Sequence, residues 1–463
     1  MRIAARFTAA TLACLTWCIA CANAAEGRPN IVVFISDDHG HLDSQVAGNQ
    51  DVRTPNMLRL ADAGVTFTHA FAASPSCAPS RAAVLTGLMP NRNGSMLNHQ
   101  PPRNDVKKLP EYLHELGYEV VAFGKVAHYK QAKQYGFDHV AHDTFHDHAC
   151  IPAALKYLAQ RKSSKPLCLM VGTNWPHVPW PKAEASDEQL AGMELPPTHV
   201  DTPATRRWRA RYYAAVEKMD ADLGQVYDAA YEKLGENTLF IHFSDHGAQW
   251  PFGKWNCYDA GVRVPFFAMW PGKIAAKSQS GAMISLIDLL PTLIEAAGGE
   301  PPAGIDGRSR LSNFRDVNAA GAEIIFTTHS GDGRMNETPM RSVRTDRWKY
   351  IRNLTPDVEY HTHIDRGAAV DGNSYWHSWT EQSKTDDAAA AIVDRYLHRP
   401  AEELYDLEND PLEQHNLAAA SGPSSDRAAA LTRLRQSLDD WMHEQQDQGL
   451  PTERAVLKAF KAP

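Results

Sequence analysis

Five short apolar runs, four of them ending in a cluster of polar residues, constrain this chain more than any other feature. The runs cover 31–36, 118–123, 167–173, 238–244 and 265–270, and their length and flanks read as buried strands. Between them lie stretches with helical periodicity, notably 54–63, 109–116 and 208–234. Strands interleaved with helices predict an α/β fold, a large and mostly parallel sheet sandwiched by helices. After about residue 330 the rhythm changes. Short alternating segments such as 341–352, an irregular Asp-, His- and Trp-rich stretch over 357–380, and a helix over 425–445 predict a smaller C-terminal α+β subdomain with an antiparallel sheet. No internal repeat and no long linker interrupts this order.

A chain of 463 residues, 43% hydrophobic and 22% charged, can bury a core of that size. Lys plus Arg total 47 against 55 for Asp plus Glu, a formal charge of -8, so no global basic field exists to hold nucleic acid or an acidic membrane. An anionic ligand would need a local cluster of cations.

Residues 1–24 read as an export leader: Arg2 and Arg6 open it, an apolar stretch follows, and Ala22-Asn23-Ala24 has the small-x-small form of a cleavage site. A lipid anchor on Cys21 is the competing reading, but Cys18 stands where a lipobox wants Leu. No further apolar stretch is long enough to span a bilayer, so no membrane insertion is expected once the leader is removed. Three cysteines leave with the leader, and Cys77, Cys150, Cys168 and Cys257 are too few for a disulfide framework.

The polar clusters fall at the carboxyl ends of the expected strands. Asp37 and Asp38 follow the first, Lys125 and His128 the second, His177 the third, Asp245 and His246 the fourth. In an open parallel sheet that edge is where ligands bind, so these residues should meet in one crevice. Asp37, Asp38 and Asp245 would repel one another unless a cation neutralised them, and an oxygen-rich set with His246 suits Ca²⁺ or Mg²⁺, with Zn²⁺ ranked behind. Ser76 to Gly87 opens as a helix, with Ser76 as cap, Pro79 in the first turn and Gly87 at the far end. Cys77 would then sit at the positive helix terminus beside Arg81.

Here the chain resembles the formylglycine-dependent sulfatases of the alkaline-phosphatase superfamily, from Arg28 to the end. The resemblance is carried by Arg28-Pro29-Asn30, Asp37-Asp38, Cys77-Ala78-Pro79-Ser80-Arg81, Leu85-Thr86-Gly87, Gly124-Lys125, Asp245-His246-Gly247, Lys254 and Gly261-Val262-Arg263-Val264-Pro265. Glu403-Leu404-Tyr405-Asp406-Leu407, Asp410-Pro411 and Asn416-Leu417 extend it. It implies an alkaline-phosphatase-like fold with a catalytic domain over 25–330 and a C-terminal subdomain over 331–463.

The resemblance also implies that a formylglycine-generating enzyme oxidises Cys77 to formylglycine (3-oxoalanine). Asp37, Asp38, Asp245 and His246 would hold one Ca²⁺ with it, Mg²⁺ being the alternative, and Arg81 would steady it. Lys125, His177 and Lys254 match the family's sulfate and leaving-group residues, and His128 the histidine that assists the formylglycine hydrate. Two departures stand out: Lys125 and His128 are one residue further apart than in many members, and His246 replaces an Asn. Both are similar to iduronate sulfatases.

The residues agree with such chemistry without the name. An unactivated sugar sulfate needs a strong nucleophile, cations on its nonbridging oxygens and an acid at its leaving oxygen. Lys125, Lys254 and Arg81 supply cations, His177 is the expected acid and His128 the base. The expected product is an exported sulfatase, periplasmic or secreted, or lysosomal in a eukaryote, acting on the O- or N-sulfate of a saccharide. A phosphatase or phosphonate monoester hydrolase of the same superfamily, which would want ligands for a second metal, and a non-catalytic binder of sulfated glycans are the other readings. The segments 340–354 and 396–417 are similar to heparan N-sulfatases. Tyr360, His361, His363, Tyr375, Trp376, His377 and Trp379 suggest a saccharide pocket, with ordinary packing as the alternative. Asn93, Asn336 and Asn353 begin glycosylation sequons if the host is eukaryotic.

Overall fold

The computed structural model describes residues 27–461 apart from 142–148, 184, 334 and 420–424. The leader over 1–24 lies outside the described residues. Nine strands form the main sheet: β1 (Asn30–Ser36), β2 (Val65–Phe71), β3 (Glu119–Gly124), β4 (His139–Ala141), β5 (Leu167–Gly172), β6 (Thr238–Ser244), β7 (Arg263–Met269), β8 (Ser278–Ser280) and β9 (Ile284–Ser285). Their order is β4-β3-β5-β1-β6-β7-β2-β8, with β9 beside β2. β1 lies at the centre, parallel to β5 and β6, and β3 continues the parallel run beyond β5. β7 runs antiparallel to both β6 and β2.

The pleat sorts the side chains. Ile31, Val33 and Ile35 of β1 join one hydrophobic cluster, whereas Val32 and Phe34 join the other, so the central strand is buried on both faces. On the second face lies α2 (Pro203–Leu234), whose Tyr212, Val216, Met219, Leu223, Val226 and Ala230 are buried at helical spacing. Thr202 caps it by accepting from the Thr205 amide. Preceding it in the chain is α1 (Cys77–Thr86), with every residue buried. Ser76 is its N-cap, but the Ser76 hydroxyl lies 3.1 Å from that of Ser74 and makes no capping bond; Gly87 ends the helix at φ 66° and returns its N–H to Ala83.

Four antiparallel strands make the second sheet: β10 (Ile325–His329), β11 (Met340–Arg344), β12 (Trp348–Asn353) and β13 (Glu402–Asp406). The helix Ser425–Glu444 packs on it. A further helix, Leu450–Phe460, is tied to this sheet by the buried Arg341, which pairs with Asp447 and, at 2.6 Å, with Glu453.

The aromatic stretch over 357–380 is packing. Tyr360, Tyr375, Trp376 and Trp379 are buried in the core cluster that includes α2, and the Trp379 indole donates to the Thr205 hydroxyl at 2.7 Å. His361 pairs with Asp365, His377 faces outward, and two of the seven reach Trp255 of the site described below: His363 stacks on its ring and the Tyr360 hydroxyl donates to its carbonyl at 3.1 Å. Asn93, Asn336 and Asn353 are all buried, so the three sequons are closed in the folded chain. Among the described residues no helix is long and apolar enough to cross a membrane.

Candidate active site

The strand ends converge as the topology requires. β1 delivers Asp37 and Asp38, β3 delivers Lys125 and then His128, β5 is followed by His177, and β6 by Asp245 and His246. The first turn of α1 brings Cys77 and Arg81, and the loop after β6 brings Lys254. None of these ten side chains belongs to a residue more than 8% exposed. Glycine lets the edges close: Gly124 sits at φ 70°, and a Cβ there would lie 2.2 Å from the Gly172 carbonyl, which accepts from the Lys125 amide at 2.8 Å.

Cys77 is the centre of the cluster. Its Sγ lies 3.3 Å from His246 Nε2, 3.5 Å from Lys125 Nζ and 3.7 Å from Asp37 Oδ1. Lys125 Nζ donates to Asp37 Oδ2 at 2.6 Å and Lys254 Nζ reaches both oxygens of Asp38 at 2.8 Å. Arg81 bridges Asp245 at 2.9 Å and Asp37 at 3.2 Å and also donates to the Lys125 carbonyl. Burial works against charge on these cations, but Asp37 with Cys77 at Lys125, Asp38 with Cys77 and Asp37 at Lys254, and Asp245 with Asp37 at Arg81 together outweigh it, so all three hold their protons more tightly than usual.

One oxygen each of Asp37 and Asp38, Cys77 Sγ and one His246 nitrogen lie within 4.8 Å of one another, a set able to hold a metal ion. His246 Nδ1 is 3.0 Å from the Gly247 carbonyl, to which it donates, so Nε2 is the nitrogen turned toward the cluster. Burial disfavours charge on that ring, but Asp245 and Cys77 outweigh it and push its pKa up to about 9. A site built to attract positive charge fits a cation. Asp245 borders this set, with Oδ2 3.6 Å from His246 Nε2; Oδ1 accepts from the amides of Asp38 and His246, and Oδ2 from Arg81. The three acids also have partners in Arg81, Lys125 and Lys254, so neutralising the acids is not the reason for a dication, as the sequence alone suggested. A dication adds about two positive charges to a balanced cluster, which suits an anionic ligand.

His177 Nδ1 is 2.6 Å from the Val178 carbonyl and Nε2 is 3.8 Å from Asp38 Oδ2. Burial, then Lys254 and Lys125, hold its pKa well below the ordinary value. His128 is held down by burial and then by Lys125 and His99, and its Nε2 is 2.7 Å from His99 Nδ1.

Three residues around the site escaped sequence reasoning. Asn98 accepts from the Ala78 amide at 3.0 Å and donates its own N–H to Gly331, joining the helix start to the small-sheet side. His99 contacts His128. Trp255 lies under Lys254, 5.0 Å from the ring centre, and stacks at 5.5 Å on His363. Adjacency to Lys254 could have flagged Trp255; the others lie in loops with no periodic signal. His99, Tyr129 and Trp255 are non-glycine residues at φ 75°, 50° and 72°, and backbone strain of this kind clusters at functional sites.

Among the described residues the four cysteines are all buried, so burial does not distinguish Cys77. Burial pushes Cys168 up to about 12 and Cys257 up to about 11, which keeps those thiols inert. Cys77 alone of the four lies among Lys125, His246 and Asp37.

A sheet covered on both faces, with Cys77 buried between paired acids and cations at its carboxyl edge, is the arrangement of a hydrolase acting on anionic esters. The Sulfatase family model matches residues 29–299, and the N-sulphoglucosamine sulphohydrolase, C-terminal, model matches residues 246–371. The chain belongs to the sulfatase family and is a sulfuric ester hydrolase. It is 32% identical over 447 residues to an ulvan-active sulfatase of Formosa agariphila, covering 92% of this chain and 82% of that one. It is 26% identical over 490 residues to human N-sulphoglucosamine sulphohydrolase, covering 94% of both. Among solved structures, a protein in complex with its substrate D-glucosamine-2-N,6-O-disulfate superposes with a TM-score of 0.69 at 19% identity, over 91% of this chain and 99% of that one. The phosphonate monoester hydrolase of Agrobacterium radiobacter gives 0.68 at 19% identity, over 92% and 97%. These likenesses establish the alkaline-phosphatase-like fold.

Proposed function

We propose that this chain is an exported, formylglycine-dependent sulfatase that removes sulfate from a sulfated saccharide. The observation that carries the reading is the meeting of Cys77 with Lys125, His246 and Asp37 at the helix start. Asp37, Asp38, Asp245, His246 and residue 77 would hold one Ca²⁺, with Asp245 also accepting from Arg81 and from the two neighbouring amides. The bound cation and the oxidised residue 77 supply a nucleophilic oxygen that a thiol does not. A formylglycine-generating enzyme carries out that oxidation during maturation. Export places the protein in the periplasm or outside the cell, or in a lysosome in a eukaryotic host.

In this reading Lys125 and Lys254 bind the nonbridging oxygens of the sulfate group, and Arg81 holds Asp37 and Asp245 in register. His177 protonates the leaving oxygen: burial, then Lys254 and Lys125, keep the free ring neutral, and the negative charge of a bound sulfate group works against both lysines. His128 takes the proton that frees the product sulfate. The saccharide assignment is supported by relatives named for ulvan and for N-sulphoglucosamine. The phosphonate hydrolase reading has the matching fold in its favour. Turnover of an aryl sulfate against an aryl phosphonate separates the two, and a panel of O- and N-sulfated sugars then identifies the substrate.

His177→Ala tests the acid. It should slow a sugar sulfate roughly 10²- to 10⁴-fold and a nitrophenyl sulfate far less, because nitrophenolate departs without a proton. Equal losses on both would make His177 a sulfate-binding residue and move the search for the acid to His128 or Lys254.

A further inference from the structure

His128 is buried, and its two ring nitrogens have different surroundings. Nε2 lies 2.7 Å from His99 Nδ1, on the side of an exposed residue, whereas Nδ1 is buried without a hydrogen-bond partner. Lys125, Asp37 and Arg81 all act on this ring, which stands three residues beyond Lys125 at the edge of the reactive cluster. His99 is held in place. Its backbone sits at φ 75°, its carbonyl accepts from Gln131 Nε2 at 2.8 Å, and its ring meets His128 edge-on at 4.6 Å and stacks on Tyr129 at 6.2 Å.

One proton is shared across the 2.7 Å contact, and the question is which ring donates it. If His99 donated, neutral His128 would carry its proton on Nδ1, leaving a buried N–H without an acceptor. If His128 donates from Nε2, its N–H is satisfied and only a lone pair remains unpartnered. The second arrangement costs less, since orphaned buried donors are rarer than under-used acceptors.

We propose that His99 is a positioning residue for the sulfatase reaction: its Nδ1 accepts the Nε2–H of His128 and so fixes the tautomer and ring orientation in which His128 Nδ1 is open to take a proton. The role rests on the sulfatase reading, and it resembles that of any group that orients a histidine base through its far nitrogen. The strained backbone of His99 is the local cost of placing that acceptor where the buried ring needs it.

Two variants separate orientation from other roles. H99G removes the ring without backbone strain, because glycine adopts positive φ freely. H99N keeps an acceptor oxygen and tolerates the same backbone region. On a sugar sulfate, kcat of H99G should fall about 10- to 100-fold with KM nearly unchanged, and H99N should recover most of the loss. Independently of turnover, ¹⁵N NMR of histidine-labelled full-length protein should show His128 as the neutral Nε2–H tautomer, becoming mixed in H99G. A wild-type rate in H99G, H99N as slow as H99G, or an Nδ1–H tautomer in the parent chain would each overturn the positioning role. Absence of any sulfatase turnover in the parent chain would overturn the function beneath it, an outcome the tautomer measurement does not share.

Discussion

Cys77→Ala should remove essentially all sulfate-ester turnover, a loss of roughly 10⁴-fold or more, while leaving the fold intact. The side chain is small and buried at the start of α1, and alanine suits a helix position, so packing changes little. What goes is the atom at which the cluster is aimed: Lys125 Nζ, His246 Nε2 and Asp37 Oδ1 all lie within 3.7 Å of Sγ. Steady-state assay beside thermal denaturation measures this. Near-normal turnover in a well-folded C77A protein would mean that another group attacks the ester.

The second large effect concerns the cation. Active protein should contain about one divalent ion per chain, calcium in preference to zinc, because the oxygens of Asp37 and Asp38 converge with a single imidazole, and residue 77 contributes oxygen once oxidised. Chelation should abolish activity and added Ca²⁺ restore it. Asp38→Asn should weaken metal binding by about 10²-fold or more, since Asp38 also holds Lys254 through both oxygens. Elemental analysis with a calcium titration measures both. Two zinc ions per chain would instead favour the phosphatase-type reading.

The strand ends were legible because apolar runs in a parallel sheet are nearly continuous, so Asp37, Lys125, His177 and Asp245 could be aligned at one edge from spacing alone. β2 was not recognised: its Val65-Thr66-Phe67 alternation breaks at Thr68-His69, where the register with β7 shifts. The antiparallel direction of β7 leaves no mark in a short apolar run. The aromatic stretch left two readings open for a related reason. Composition gives the same signal for a sugar-stacking wall and for a helix packed on α2, and Trp379 donating to Thr205 decides for the second. The acids near Cys77 suggested unbalanced negative charge because their partners, Arg81, Lys125 and Lys254, come from three distant segments. His99 was out of reach altogether, since its importance lies in a contact with His128 across 29 residues of chain.

The account turns on the chemical state of residue 77, and mass spectrometry of the peptide ending at Arg81, taken from protein of measured specific activity, tests it most directly. The expected result is the thiol replaced by an aldehyde or its hydrate, with specific activity proportional to the converted fraction across preparations. Full activity in protein whose Cys77 remains an unmodified thiol would contradict it.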